Sequence, residues 1–370
     1  MDSKAVSSPK NYPTLSQSRP NPTAGKSLIE WLKENFFSTI PNAITTIIIL
    51  TILIKIVPGM IDWAIFSATF VGENRDACAA GGACWLPLVN RFSFLVYGFY
   101  PEASRWRVDL AFIFGAMVFP LLFARRIPRI YVVIYIGLLP IILWGLMNGG
   151  FILDSIPSHA FGGFMLTFYL AVIGMTISLP VAIILALGRQ SSLPAIRWLC
   201  VGYIEFIRSV PIVTFLFMAS LMAQLFLPAG VELDQLFRVL LVMIFVSAAY
   251  KAEIIRGGIQ GIPSGQVEAS QALGVSYWRT MFSIVLPQSL RNTVPSLINN
   301  FIGLVKETSL VMIVGLLDLT GLAAATLESQ EWIGFDIEIF LGVSLIFFSI
   351  NMLISRYGIF LEKDIAKARV

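Results

Sequence analysis

The chain is predicted to be an all-α integral membrane protein with about eight transmembrane helices, and three observations predict it. Of its 370 residues, 57% are hydrophobic and 13% charged, with a mean hydropathy of +0.81. A soluble core of this size cannot hide that much apolar surface. The apolar residues come in long unbroken runs, which suit helices; the strands of a barrel would alternate in short segments. Finally, the basic residues gather at alternate ends of those runs. One histidine, His159, and three cysteines are too few for a recurrent metal or redox framework.

Taken in order, residues 1–25 are rich in Ser, Pro, Asn and Lys and are expected to be a disordered tail. They do not read as a secretory signal, because no apolar core closely follows a basic start. Residues 26–41 follow as an amphipathic helix, with Ser27 and Glu30 at capping-box spacing. Leu28, Trp31, Leu32 and Phe36 share one face, so the helix lies in the membrane interface or packs on protein. Apolar segments then recur near 42–67, 107–124, 130–147, 161–187, 198–227, 238–257, 291–317 and 337–355. Each approaches or exceeds the about 20 residues that a bilayer requires. A loop at about 68–106 belongs to the N-terminal membrane region, 42–160, and residues 358–370 form a C-terminal tail.

Charge orients these segments. With the N-terminus inside, the inner segments carry Lys26, Lys33, Arg125, Arg126, Arg129, Arg189, Arg197, Arg279, Arg356, Lys363, Lys367 and Arg369. The outer stretches 148–160, 228–237 and 318–336 contain no Lys or Arg. Only the loop after the first span, with Arg75, Arg91 and Arg105, runs against the trend. The positive-inside rule therefore predicts both termini, and the stretch Gly261–Arg291, in the cytoplasm. It exports Cys78 and Cys84, six residues apart with glycines between, which either bridge in an oxidising compartment or remain free thiols.

Gly261–Arg291 is too polar for a bilayer. Ser264 can N-cap a helix over Gly265–Leu273, Gly274 suits its left-handed stop, and Ser276 can start a second helix that Pro287 closes. Such a pair serves as a docking surface, offering Val267, Ala272 and Leu273, or as a well-capped connector. By contrast Ala24-Gly25-Lys26-Ser27 only imitates a phosphate loop, because Pro20 stands where that loop needs glycine. No nucleotide site, metal cluster or nucleophile–base pair is found in the sequence, so catalysis by this chain is not expected.

Glu268-Ala269-Ser270, then three residues, Gly274, nine residues, and Ile284-x-Leu286-Pro287 match the EAA loop of ABC importer permeases in spacing. The chain resembles that family, which usually has Ala where Ser270 stands. The stretches AEIIRGGIQGIPSGQ and LVKETSLVMIVG resemble polar amino-acid permeases, and the layout of the first 160 residues resembles the larger permease of general L-amino-acid importers. The resemblance implies a five-helix type I importer core over 161–357, preceded by three extra helices, in a bacterial inner membrane. It implies two ABC ATPase subunits docked on the EAA loop, through Glu268, Ala269, Ser270, Gly274, Ile284, Leu286 and Pro287, with ATP and Mg bound by those partners and no cofactor in this chain. It also implies a second permease subunit, a paralogue rather than an identical copy, and a periplasmic amino-acid-binding protein. No nucleic-acid partner is expected. The competing classes are an ion-coupled secondary transporter, which commonly carries repeated halves, and a channel.

Polar residues inside spans are costly and mark candidate substrate contacts. Arg208 lies about ten residues into the fifth span, roughly 15 Å deep at helical rise. Glu253 falls in the sixth, and Asn299, Asn300 and Glu307 in the seventh. Arg208 with Glu307 or Glu253 would offer opposite charges to a zwitterion; otherwise these residues pair to fix helix packing. Lys251 is assigned to packing.

Overall fold

The computed structural model describes residues 27–124, 127–150, 153–228 and 230–367, so the tail expected at 1–25 lies outside the described residues. The described residues divide into two compact units, one ending at Ala68 and the other beginning at Thr69. In the first, α1 (Leu28–Phe36) begins with the expected capping box: Glu30 N–H donates to Ser27 Oγ and Ser27 N–H to Glu30 Oε2. Then α2 (Ile40–Ile61), whose one charged residue is Lys55, passes into a π turn over Asp62–Phe66. Pro58 near its end removes a helical hydrogen bond.

The second unit opens with two short helices, α3 (Leu86–Asn90) and α4 (Phe92–Tyr97), followed by α5 (Arg105–Phe123) and α6 (Arg129–Met147). The long helix α7 (Gly163–Arg189) is the axis of the unit. After it come α8 (Pro194–Ser209) and α9 (Ile212–Phe217), then α10 (Gln235–Gln260). Two short helices, α11 (Ser264–Ala272) and α12 (Tyr277–Thr280), lead to α13 (Leu286–Glu307). The chain ends with α14 (Leu319–Leu327) and α15 (Asp336–Lys367), whose last turns occupy most of the expected C-terminal tail.

Among the described residues, six helical stretches are long and apolar enough to cross a membrane: Ile40–Phe66, Glu102–Phe123, Ile130–Met147, Gly163–Arg189, Tyr277–Val314 and Asp336–Lys363. The expected fifth span, 198–227, is instead broken: Pro194–Ser209 and Ile212–Phe226 meet at 100°. Pro211 lacks the N–H that would continue the helix and pushes Val210 into extended backbone, φ −112° and ψ 135°. Beyond the break the helix loosens into a π turn at Met218–Met222, and Arg238 Nη1 on α10 donates to the carbonyls of Ala219 and Ser220. The sixth expected segment, 238–257, is α10, long enough to span but carrying Arg238, Lys251, Glu253 and Arg256.

α7 packs along α10, α10 along α13, and α13 along α15, with α5 and α6 on the flank of α7. Toward the Arg189 end of α7 the seam is built of Ala182 and Ala186 against Ala248 and Ala252, all buried. Small residues at four-residue spacing let helices approach closely. Larger side chains fill the other half, among them Leu166, Tyr169, Leu170, Val239, Met243 and Leu304. The 68–106 stretch, expected as an exposed loop, carries a buried portion: Cys84 and Leu86 enclose Trp332. Cys78 and Cys84 are joined by a disulfide, and Cys84 N–H donates to Glu338 Oε1 across 254 residues.

Candidate functional site

The stretch Gly261–Arg291 leaves the helix bundle where α10 ends and returns where α13 begins. Pro263, not Ser264, holds the N-cap position of α11; Ser264 is its first helical residue, and no side-chain cap bond forms. Gly274 has φ +71°, and the N–H groups of Gly274 and Val275 donate to the carbonyls of Gln271 and Ser270. This left-handed closure satisfies carbonyls that the helix end exposes. Ser270 is buried, its Oγ donating to Gln266 O at 2.9 Å. Ser276 then begins α12 in extended backbone.

Pro287 does not close the second helix. α12 runs through a π turn, Met281–Val285, directly into α13, where Pro287 sits in the first turn. A proline ring collides with the carbonyl four residues earlier, here Ser283, and the wider π turn moves that carbonyl aside. The helical stretch therefore continues from the α12 surface into one candidate membrane span, Tyr277–Val314.

One face of this segment is anchored and the other is bare. Val267, expected to be offered outward, packs inward on the cluster that holds Ile255, Ile259, Met281, Val285 and Leu286. Ile284 is half-buried and Pro287 exposed. Leu273 is 83% exposed, and Tyr277, Trp278 and Phe282 form an exposed aromatic row with centroids 5.3 and 5.9 Å apart. Glu268, Ala269 and Ala272 are also exposed. An exposed apolar ridge rimmed by polar residues is the form of a protein-binding surface.

The polar span residues divide into two groups. In the first, Glu253 is the hub: Arg189 at 2.9 Å, Arg256 at 2.9 Å and Arg208 at 3.9 Å surround its carboxylate, and Arg189 also reaches Glu205 at 2.8 Å. The Arg208 guanidinium lies over Tyr250, 5.7 Å from the ring centroid. Arg189 belongs to the last turn of α7, so Arg208 stands at the level of that helix end. It is not deep in a straight fifth span, because the break at Pro211 detaches α8 from the direction of α9.

The second group lies on the seam of α7, α10 and α13. Lys251 is fully buried, its Nζ donating to Ser178 Oγ at 2.7 Å and to Ser247 Oγ. Ser247 Oγ in turn lies 3.5 Å from Asn300 Oδ1. Glu307, half-buried, interacts with Lys251 electrostatically, whereas Asn299 is exposed. Arg208 is thus joined to Glu253, and the cation near Glu307 is Lys251. Ser247 and Lys251 are four residues apart, one turn on the same face of α10; that spacing was available in the sequence and pointed to a polar seam.

Residues 178–367 match the family described as "Binding-protein-dependent transport system inner membrane component". The chain is 38% identical over 336 residues to the inner membrane amino-acid ABC transporter permease protein YhdY of Escherichia coli K12, covering 90% of this chain and 92% of that one. It is 33% identical over 417 residues to the glutamate/glutamine/aspartate/asparagine transport system permease protein BztC of Rhodobacter capsulatus, covering 94% and 96%. A solved structure described as an amino acid ABC transporter with histidines is 28% identical, covering 55% of this chain and 92% of that chain, with a TM-score of 0.49.

Proposed function

The chain belongs to the family of inner-membrane components of binding-protein-dependent transport systems, and from that membership we propose that it is the permease subunit of an ABC importer carrying L-amino acids, polar and broad in range. The observation that carries this reading is the end-to-end match to two relatives named as amino-acid permeases, which extends over the N-terminal region as well as the family core.

In this reading two ATPase subunits, which bind ATP and Mg, dock on the Gly261–Arg291 segment. The exposed ridge of Leu273, Tyr277, Trp278 and Phe282 supports that role, as does the left-handed stop at Gly274 that sets its angle. A second permease, a paralogue of this chain, completes the path, and a periplasmic binding protein delivers substrate. Both termini lie in the cytoplasm, in keeping with the placement of Lys and Arg. ATP binding draws the ATPases together, and the unbroken helix from Tyr277 to Val314 carries that motion into the membrane. One arrangement of the helices is then favoured, and hydrolysis releases it. Glu253, Asn299, Asn300 and Glu307 remain candidate contacts along the path; Arg208 acts through its pairing with Glu253.

Gly274→Asp tests the coupling. A Cβ at this position meets nothing within 4 Å, so the change leaves packing intact while placing a charge and left-handed strain at the turn. The expected result is a complex that assembles but loses most ATP-driven uptake. Full uptake by the variant would refute the coupling role, and wild-type uptake that persists without ATP or without ATPase subunits would refute the importer itself.

A further inference from the structure

Lys251 is a fully enclosed charge on the seam of α7 and α10, with a relative exposure of 0%. A buried ammonium is ordinarily held by a carboxylate, because hydroxyls alone compensate poorly for lost hydration. Here the partners are two serines, one on α7 and one on α10, and among the described residues no carboxylate comes within ion-pair distance of Nζ. Of its three donors, two are used. Glu307 lies within electrostatic reach on α13, two turns beyond Asn300 on the same face, yet the pair is not closed.

Two opposite charges that share a seam without closing on each other suit a dipolar guest. Resting on the amino-acid importer reading, we propose that Lys251 receives the α-carboxylate of the substrate during translocation, with Ser178, Ser247 and Asn300 supplying the neighbouring polar contacts and Glu307 facing the ammonium. The carboxylate takes the third Nζ–H when α10 and α13 part, and the serine hydroxyls hold the ammonium when the site is empty. The cation of the path is then Lys251 rather than Arg208, which Glu253 holds at the end of α7.

The test uses the assembled permease–ATPase complex in detergent, with no binding protein added, so that the permease alone discriminates. Direct binding is measured for glutamine, glutamate, asparagine and aspartate, and then for the best of these against its own α-amide, which lacks the α-carboxylate charge. The wild type is expected to prefer the amino acid by about tenfold or more, the scale of one charge-assisted hydrogen bond. Lys251→Met and Lys251→Gln are expected to bring that ratio close to one, and Lys251→Arg to retain most of it. The Gln variant can still donate to both serines, so it guards against a simple failure of packing. A purely structural lysine would weaken both ligands alike and leave the ratio unchanged; that result, or a wild type indifferent to the amide, overturns the proposal. A wild type that binds and transports no amino acid overturns the importer reading beneath it, a distinct outcome.

Discussion

Asp318 is a fully buried carboxylate outside the membrane-spanning helices, at the N-cap of α14. One oxygen accepts from Gly321 N–H at 2.9 Å, while Oδ2 takes no hydrogen bond. Burial pushes its pKa up to about 6, against the opposing pull of the backbone N–H groups. A raised carboxylate pKa means that the folded chain holds this proton more tightly than the unfolded chain. Its contribution to stability is therefore present in acid and is lost as pH rises from about 4 through about 6. Asp318→Asn keeps the acceptor for Gly321 and removes the charge. Thermal unfolding in detergent should show the variant gaining on the wild type as pH rises from about 4 to about 7, by on the order of 3 kcal/mol at most. An identical pH dependence in both proteins would count against an ionised, buried Asp318.

At the scale of elements, the bundle is held by close passages that only glycine permits. Gly98 ends α4 at φ +61°, and a Cβ there would lie 2.6 Å from Gly162 Cα. Beside it Gly163 N–H donates to Leu317 O at 2.8 Å, so α4, α7 and the approach to α14 meet backbone to backbone. Gly98→Ala should cost about 2 kcal/mol or more, since left-handed strain alone costs about 1 and backbone cannot yield to the added atom. Gly202, in α8, is the control, because its Cβ would meet nothing within 4 Å. Gly202→Ala should stabilise by up to about 1 kcal/mol. Melting temperatures of the two variants should move in opposite directions.

Across the molecule, residues near 78–91 and 332–339 are far apart in sequence and form one buried cluster. Trp332 is 1% exposed against Cys84 and Leu86, and Arg91 reaches Glu331 at 3.8 Å. Trp332→Ala should destabilise by about 3–5 kcal/mol, the range for emptying a buried aromatic site. Proteolysis should then find the 69–91 segment first, and a variant as resistant as the wild type would show the cluster to be dispensable. The disulfide closes only a six-residue separation, so it stiffens the segment locally, and Trp332 ties it to the bundle.

The sequence alone determined the class of the protein, the rough position of its spans, and the polar segment between α10 and α13. Long apolar runs have one solution in a bilayer, and Gly274 at a helix end has one conformation that satisfies the backbone. The capping box of α1 was legible for the same reason: each depends on neighbours a few residues away. Tertiary structure decided the rest. Pro211 and Pro287 both fall within helical stretches, yet one breaks its span by 100° and the other is absorbed by a π turn. Which occurs depends on whether packing holds the two halves in line, and that is set by other helices. Arg208 and Lys251 are likewise both charges in expected spans, the first read as a candidate substrate contact and the second as packing. Only the arrangement of α7, α8 and α10 brings one to Glu253 and encloses the other among serines, because charge pairing is a property of distance in space.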